Sequence, residues 1–254
     1  MKRQRTIVVT GADRGLGYEL VKQYAERGDY VFAGKFRTRW NLLDELKAQY
    51  PDRMQIVDMD VGNTESVRSA AAVILEHTDK IDILINNATV WLSADCGTVL
   101  EDKFDYERMM AEFNINALGA LRVTQALIHA VLKSFDRLVV NVSSEAGSIT
   151  GCYKDSQPGY CMSKAAMNMQ ACIVLNAVKR LGGAVLNVHP GWMQSVIGAS
   201  AAADAEMMDL PENIKFYTTP AQTAAGFIEI IDQPERFSSD KPGFVNYKGD
   251  VMKY

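Results

Sequence analysis

The chain alternates short apolar runs with segments of helical periodicity from end to end. Seven apolar runs predict strands at residues 7–9, 30–34, 54–57, 81–85, 138–142, 184–188 and 243–246. The clearest helical segments between them span residues 16–27, 64–77, 106–133 and 159–180. Strands that alternate with helices in this way form a parallel sheet with helices on both faces. We therefore predict one α/β, doubly wound domain over residues 1–254.

Details of individual helices can also be read from the sequence. In the segment 64–77, we expect Val67, Ala71, Ile74 and Leu75 to form the buried stripe. Asn41 is placed to cap a helix that begins at residue 42. Residues 219–222 (TPAQ) predict a helix start with a Thr cap, Pro at the first helical position and a capping box.

Polar residues cluster where the predicted strands end. They are Thr10 to Gly17, Asp60, Asn86-Asn87, Ser143-Ser144 and Pro190-Gly191. Ligands of doubly wound sheets bind beyond the carboxyl ends of the strands. The sequence therefore predicts one binding site that collects these clusters.

Residues 10–17 (TGADRGLG) connect the first predicted strand to the first predicted helix. Such a turn directs free backbone N–H groups and the positive end of the helix dipole at one point, where a pyrophosphate fits. Glycine allows close approach of the phosphate and the backbone angles of a tight turn. The spacing G-x-x-x-G-x-G differs from the G-x-G-x-x-G fingerprint, and a turn that only packs helix on strand is the alternative.

The charge after the second strand favours NADP(H) over NAD(H). An acidic residue there selects NAD, whereas a basic residue accepts the 2′-phosphate of NADP. Here the strand runs into Lys35 and Arg37, and no acid follows before Asp44. Arg14 adds a guanidinium, which suits phosphate because it offers several donors in a fixed fork. Arg39 is interpreted as a solvent-facing loop residue, and the same interpretation is open for Arg37.

Composition excludes several classes of function. The 254 residues are 48% hydrophobic with a net charge of −4, so we expect no nucleic-acid partner. No stretch approaches the roughly 20 apolar residues of a membrane span, and no signal-peptide pattern is present, so we expect no membrane association. Four cysteines without metal or disulfide spacing predict no metal site and a cytoplasmic location.

Five features occur together in a characteristic order. They are T-G-x-x-x-G-x-G at 10–17, Asn86-Asn87-Ala88, Ser144, Y-x-x-x-K from Tyr160 to Lys164, and Pro190-Gly191. In this combination the chain resembles the short-chain dehydrogenase/reductase family over about its first 195 residues. The resemblance implies a Rossmann-like fold and a small-molecule carbonyl or alcohol substrate. It also implies a homodimer or homotetramer formed through the long helices after the fourth and fifth strands.

The resemblance also assigns roles to residues. The catalytic residues would be Asn116, Ser144, Tyr160 and Lys164. The cofactor-binding residues would be Thr10, Gly11, Asp13, Arg14, Gly15, Leu16, Gly17, Arg37, Asp60, Val61, Asn87, Ala88, Tyr160, Lys164, Pro190, Gly191 and Met193. Lys164 would bond the nicotinamide ribose, Ser144 would orient the substrate oxygen, and Asn116 would help to hold a water that relays protons.

The spacing of Tyr160 and Lys164 gives a physical reason for this chemistry. They lie one helical turn apart on one face. A free tyrosine has a pKa near 10, and a nearby ammonium lowers the pKa of a phenol by favouring the phenolate. Tyr160 would then donate a proton to a carbonyl oxygen or remove one from an alcohol.

Several alternatives stay open at this stage. Ser143 could be the active serine in place of Ser144, and Asn114 could be mistaken for Asn116, although its side chain would point about 200° away around the helix. Thr89 stands where the family has Gly, and we expect it to crowd the backbone near the cofactor. Ser195 stands where Thr is common.

Residues 196–215 are expected to fold over the substrate, and their Ala and Met content favours a partly hydrophobic carbonyl compound. A buried helix face would have the same composition. His189 is interpreted as structural, because it has neither an acidic partner nor metal-ligand spacing in the sequence.

The predicted function is NADP(H)-dependent hydride transfer to or from a carbonyl or alcohol. A non-catalytic NADP(H)-binding sensor or partner-binding module is the alternative, and the complete set of Asn116, Ser144, Tyr160 and Lys164 argues against it. A dehydratase or epimerase would need a further acid–base group that the sequence does not identify.

Overall fold

The computed structural model describes residues 3–36, 40–92, 97–101, 103–193, 218–237 and 239–254. Arg37, Arg39, Ser195 and the segment 196–215 lie outside the described residues. The strands are β1 (Thr6–Val9), β2 (Tyr30–Lys35), β3 (Met54–Asp58), β4 (Ile83–Asn86), β5 (Leu138–Val142), β6 (Ala184–His189) and β7 (Gly243–Asn246). All seven predicted strands are confirmed within two residues at either end.

The α-helices are α1 (Gly15–Glu26), α2 (Leu42–Gln49), α3 (Thr64–His77), α4 (Tyr106–Phe113), α5 (Ala120–Leu132), α6 (Pro158–Val178) and α7 (Pro220–Ile231). Helix α7 begins with the predicted capping box, in which Thr219 and Gln222 cap each other's backbone N–H groups. Asn41 stands at the start of α2, but its side chain does not cap the helix, so that prediction is wrong. Its Nδ2 instead donates to Glu45 Oε1 at 2.6 Å.

The seven strands form one parallel sheet in the order β3-β2-β1-β4-β5-β6-β7. The order reverses between β1 and β4, which is the doubly wound arrangement. Alternate residues of β1 face opposite sides, so Ile7 and Val9 belong to one core with α1, α2 and α7, and Val8 belongs to the other with α3, α5 and α6. The site therefore lies at the carboxyl end of a sheet that is buried on both faces.

The stripe predicted for α3 needs one correction. Val67, Ala71 and Ile74 are buried, but Leu75 is 43% exposed and Ala70 is buried in its place. Successive residues of a helix are rotated by about 100°, so Leu75, the residue after Ile74, lies outside the buried face.

The long helix predicted for residues 106–133 is interrupted. A π-helical turn, Asn114–Gly119, separates α4 from α5. Single π turns inside α-helices occur often at functional sites. Here the turn contains Asn116, one of the predicted catalytic residues.

The helix from Tyr106 to Leu132 is long and apolar enough to span a membrane by length and composition, with a mean hydropathy of 1.3 over 18 residues. The segment contains polar residues such as Asn114, Asn116 and Gln125, so it is not a run of about 20 apolar residues, and the expectation of no membrane association stays a prediction. Half of that window is buried inside the protein, and α5 contributes Val123, Leu127 and Val131 to the core. A core helix of a globular protein has these same properties.

Candidate active site

The turn between β1 and α1 has the geometry of an anion-binding loop. Gly11 and Gly15 have φ angles of +62° and +58°, a region that favours glycine. A Cβ on Gly11 would lie 2.7 Å from the Ala88 Cα, whereas one on Gly15 would meet nothing within 4 Å. Gly15 thus faces open space, and the first turn of α1 contains no acidic residue that would repel a phosphate.

Thr10 and Asn87 hold this turn against the end of β4. The Thr10 hydroxyl accepts from the backbone N–H groups of Asn87 and Ala88, both at 3.0 Å. Asn87 Nδ2 donates to the carbonyls of Thr10 and Gly11 at 2.8 and 2.9 Å. Thr10 is 1% exposed. Thr10 is therefore a buried residue that holds the binding loop in position by its hydrogen bonds.

One cleft collects most of the predicted cofactor-binding residues. Its walls include Gly11, Asp13, Arg14, Gly15, Leu16, Gly17, Asp60, Val61, Asn87, Ala88, Tyr160, Lys164, Pro190, Gly191 and Met193. Thr10, Asn116 and Ser144 are not part of its lining. Phe36, Met59, Val90, Ile115 and Val142 also line the cleft and were not predicted from the sequence. Thr89, which was expected near the cofactor, and Ser143, the alternative active serine, line it as well. Phe36 and Met59 directly follow β2 and β3, so the rule that sites lie beyond strand ends could have found them.

Charges near the end of β2 are partly compensated. Lys35 Nζ forms an ion pair with Asp44 Oδ2 at 2.8 Å. The Asp13 carboxylate accepts from the Phe36 N–H at 3.0 Å, which fixes the chain as it leaves β2. The Arg14 guanidinium stacks over the Trp40 ring with its carbon 4.3 Å from the ring centroid. Arg14 is therefore a positioned cation on the cleft wall.

Tyr160, Ser144 and Lys164 come together at the other end of the cleft. The Tyr160 hydroxyl is hydrogen-bonded to the Ser144 side chain. Lys164 is 1% exposed, and its Nζ donates to the Val142 carbonyl at 3.0 Å while lying 5.7 Å from the centroid of the Tyr160 ring. The Ser143 hydroxyl instead donates to Asn168 Oδ1 at 2.6 Å. The geometry thus favours Ser144 as the active serine.

Burial sets the protonation of both groups. It raises the pKa of Tyr160 to about 12, although the hydrogen bond from Ser144 acts in the opposite direction. Burial lowers the pKa of Lys164 to about 7. The prediction that the Lys164 charge lowers the pKa of the phenol is wrong. The largest cause in the structure is desolvation of the phenolate, which raises this pKa, and Lys164 is not among the main causes of the shift.

Asn116 is completely buried and ties three segments together. Its Oδ1 accepts from the Thr89 hydroxyl and the Val90 N–H, both at 2.8 Å. Its Nδ2 donates to the Val90 carbonyl at 2.8 Å and to the Ser163 hydroxyl at 3.1 Å. These four bonds use both donors and the acceptor oxygen of the amide. The side chain therefore fixes the positions of the loop after β4, the π turn and α6 relative to one another.

Thr89 and Asn114 have contacts that the sequence did not reveal. Thr89 lines the cleft, and the hydroxyl that distinguishes it from the family's Gly binds Asn116. Asn114 Nδ2 donates to the Gly62 carbonyl at 3.0 Å, and its Oδ1 accepts from Arg122. Asn114 therefore points away from Asn116, as the helical geometry predicted.

His189 has an acidic neighbour that is not apparent from the sequence. Its Nε2 lies 4.0 Å from Glu145 Oε2, and burial lowers its pKa. Glu145 Oε1 also accepts from the Tyr153 hydroxyl at 3.0 Å and from the Trp192 indole N–H at 3.1 Å. Glu145 therefore joins the segment between β5 and α6 to the end of β6 and the residues that follow it, next to Ser144.

Comparison with known proteins agrees with this geometry. The family model described as "short chain dehydrogenase" matches residues 5–206. The chain is 28% identical to an uncharacterized oxidoreductase of Schizosaccharomyces pombe, C663.06c, covering 97% of this chain and 96% of that protein. It is 29% identical to a 1-hydroxy-2-glutathionyl-2-methyl-3-butene dehydrogenase of Rhodococcus, covering 89% and 90%.

A solved structure extends the comparison to three dimensions. The NADPH-bound carbonyl reductase from chicken fatty liver superimposes with a TM-score of 0.82 at 25% identity, and each chain is covered completely. The family match spans the glycine-rich turn, Asn87, Tyr160 and Lys164, which line one cleft, and also Ser144, whose side chain lies beside Tyr160. The chain therefore belongs to the short-chain dehydrogenase/reductase family of oxidoreductases.

Proposed function

We propose that this protein is an NADP(H)-dependent reductase of small carbonyl compounds, with Tyr160 as the proton donor. The observation that carries the proposal is the hydrogen bond between the Tyr160 and Ser144 hydroxyls, with Lys164 one helical turn away. Two hydroxyl groups that meet at one point can both bond a single substrate oxygen. Their position at the end of the cleft that begins at the glycine-rich turn supports hydride chemistry there.

The bound nicotinamide would supply the hydride that adds to the carbonyl carbon. The carbonyl oxygen then needs a proton, and the Tyr160 hydroxyl donates it. A pKa of about 12 keeps this hydroxyl protonated throughout the neutral range. The Ser144 hydroxyl stabilises the negative charge that develops on the same oxygen. Lys164 is close enough to stabilise the tyrosinate that remains after proton transfer.

The preference for NADPH rests on Arg14. Its guanidinium is held over Trp40 on the cleft wall, where it can bind the 2′-phosphate with paired donors. Arg14→Ala should weaken NADPH binding by at least about tenfold, as expected for lost charged hydrogen bonds, and should leave NADH binding unchanged. Arg14→Lys is the matched control, because it keeps the charge but loses the fork and the stacking. Calorimetry with both cofactors measures the difference.

The activity is tested by the oxidation of NADPH with a panel of aldehydes, ketones and quinones. The proposal expects turnover of at least one class of carbonyl and loss of that turnover in Tyr160→Phe. Equal turnover by both proteins would refute the role of Tyr160. Tight NADPH binding without turnover of any carbonyl would count against a reductase.

We also propose that the protein forms a homodimer or homotetramer through α4, α5 and α6. These helices expose Met110, Met169 and Ile173 at 65%, 62% and 62%. Ile173→Asp should reduce the mass in multi-angle light scattering to that of a monomer. Leu75→Asp, on α3, is the matched control and should leave the mass unchanged. A monomeric wild-type protein would refute the proposal.

A further inference from the structure

The face of α6 that carries Tyr160 and Lys164 continues with a third polar residue. Tyr160, Lys164 and Asn168 follow one another at intervals of four residues, which places them on one side of the helix. Asn168 is 3% exposed. A buried amide one turn beyond the catalytic lysine needs hydrogen-bond partners, and its partners show its role.

Asn168 holds the loop after β5 on both sides of Ser144. Its Oδ1 accepts from the Ser143 hydroxyl at 2.6 Å, and its Nδ2 donates to the Gly147 carbonyl at 3.0 Å. Gly147 is pressed against α6, since a Cβ there would lie 2.7 Å from the carbonyl carbon of Lys164. Two bonds from one amide thus fix the short segment that presents Ser144 to Tyr160.

A ladder of asparagines fixes the orientation of the Asn168 amide. Asn86, Asn141 and Asn187 are in register on β4, β5 and β6. Asn86 Nδ2 donates to Asn141 Oδ1 at 3.0 Å, and Asn141 Nδ2 donates to Asn187 Oδ1 at 2.9 Å. Asn187 Nδ2 then donates to Asn168 Oδ1 at 3.2 Å. All four amides are at most 3% exposed, so each bond sets which side of the next amide is the acceptor.

We propose that Asn168 is a positioning residue, oriented by the asparagine ladder, that holds the Ser144 hydroxyl in hydrogen-bond contact with Tyr160. This inference rests on the proposed function, because Ser144 and Tyr160 act together only if both bind the substrate oxygen. The asparagine touches neither of these hydroxyls in the structure. It acts through Ser143 and Gly147.

The effect on catalysis follows from the geometry of the loop. Without Asn168, Ser143 and Gly147 lose the bonds that hold them to α6, and the Ser144 loop can move relative to Tyr160. A displacement of about 1 Å at a reacting centre can cost about 100-fold in rate. The glycine-rich turn lies at the other end of the cleft, and Asn168 is not among the residues that line the cleft. Cofactor binding should therefore survive the change.

The test compares Asn168→Leu with Thr124→Val in the full-length protein. Leu has the same number and branching of side-chain heavy atoms as Asn but makes no hydrogen bond. Thr124→Val removes one buried bond at the far end of the ladder, where the Thr124 hydroxyl accepts from Asn86 Nδ2 at 3.0 Å. The inference expects N168L to lower kcat by about 10- to 100-fold with the Kd for NADPH within about threefold of the wild type. T124V should keep kcat within about twofold while lowering the unfolding temperature.

Asn168→Ser provides the second variant if N168L does not fold, and its single hydroxyl should give an intermediate kcat. Unchanged kcat in a folded Asn168 variant would overturn the inference. Equal losses of kcat in N168L and T124V would also overturn it, because they would indicate general destabilisation. Crystal structures of the wild type and the Asn168 variant test the same point without a substrate, since the variant should lose the contact between the Ser144 and Tyr160 hydroxyls. A wild type without Tyr160-dependent turnover would refute the proposed function but leave this structural comparison valid.

Discussion

Replacing Lys164 by Met should change how the stability of the cofactor-free protein depends on pH. Lys164 is 1% exposed, and burial lowers its pKa from the ordinary 10.5 to about 7. Below pH 10 the unfolded chain keeps this lysine protonated, whereas the folded protein releases the proton as the pH rises through 7. Because the unfolded state then binds more protons, the free energy of unfolding rises with pH.

The magnitude follows from the two pKa values. Between pH 6 and pH 8 the folded protein binds on average about half a proton less than the unfolded chain. Each full proton changes the free energy of unfolding by about 1.4 kcal/mol per pH unit, so the wild type should gain about 1.4 kcal/mol over this range. Lys164→Met has no titrating group at this position and should gain nothing from it. The variant also loses the bond to the Val142 carbonyl, but that cost does not depend on pH.

Urea unfolding of both proteins at pH 6, 7 and 8 measures the difference. Lys179→Met, an exposed lysine just after α6, is the matched control and should follow the wild type. The charge of Lys164 also lowers the pKa of His189. The comparison of the wild type with Lys164→Met is therefore repeated in two proteins that also carry His189→Asn. Parallel curves for the wild type and Lys164→Met would show that Lys164 keeps an ordinary pKa in the fold and would refute the reasoning.

Three further predictions follow from individual contacts. Gly17→Ala should weaken NADPH binding by more than about tenfold in calorimetry, since its Cβ would collide with the Gly11 carbonyl oxygen and the Asn87 side chain and would displace the turn. Unchanged affinity would contradict the description of the turn. Glu145→Ala should raise the KM for the carbonyl substrate more than it changes kcat, because Tyr153 and Trp192 lose their shared acceptor. Glu145→Gln keeps an acceptor oxygen and should resemble the wild type. Equal KM values for the two variants would refute this role of Glu145. Arg5→Met should lower the free energy of unfolding in urea by about 2 kcal/mol, because Asp29 and Asp232 lose a buried charged partner and keep only the more exposed Arg27, and an unchanged midpoint would contradict it.

The strands were predicted well because strands of a sheet that is buried on both faces are continuously apolar in sequence. The runs around Ile7, Ile83 and Val139 are continuously apolar, and each proved to be a strand. The π turn at Asn114–Gly119 was not predictable, because its residues fit the periodicity of the helix around them. What distinguishes the turn is the set of bonds from Asn116 to Thr89, Val90 and Ser163, which are distant in sequence.

The candidate site shows the same division. Tyr160, Lys164 and Ser144 were assigned from the resemblance of their motifs to a known family, and Ser143 stayed open as an alternative to Ser144. The pKa values of Tyr160 and Lys164 depend on burial that the sequence does not display. Asn168 illustrates the limit most clearly. Its spacing from Lys164 is visible in the sequence, but its role depends on strand register that joins Asn141 to Asn187.

The role proposed for Tyr160 is proton donation to the substrate oxygen during carbonyl reduction. The most direct measurement is single-turnover oxidation of bound NADPH by the wild type and Tyr160→Phe, with cofactor affinity determined in parallel. Tyr160→Phe should bind NADPH as the wild type does but reduce the carbonyl at least about 100-fold more slowly. Equal rates in the two proteins would contradict it.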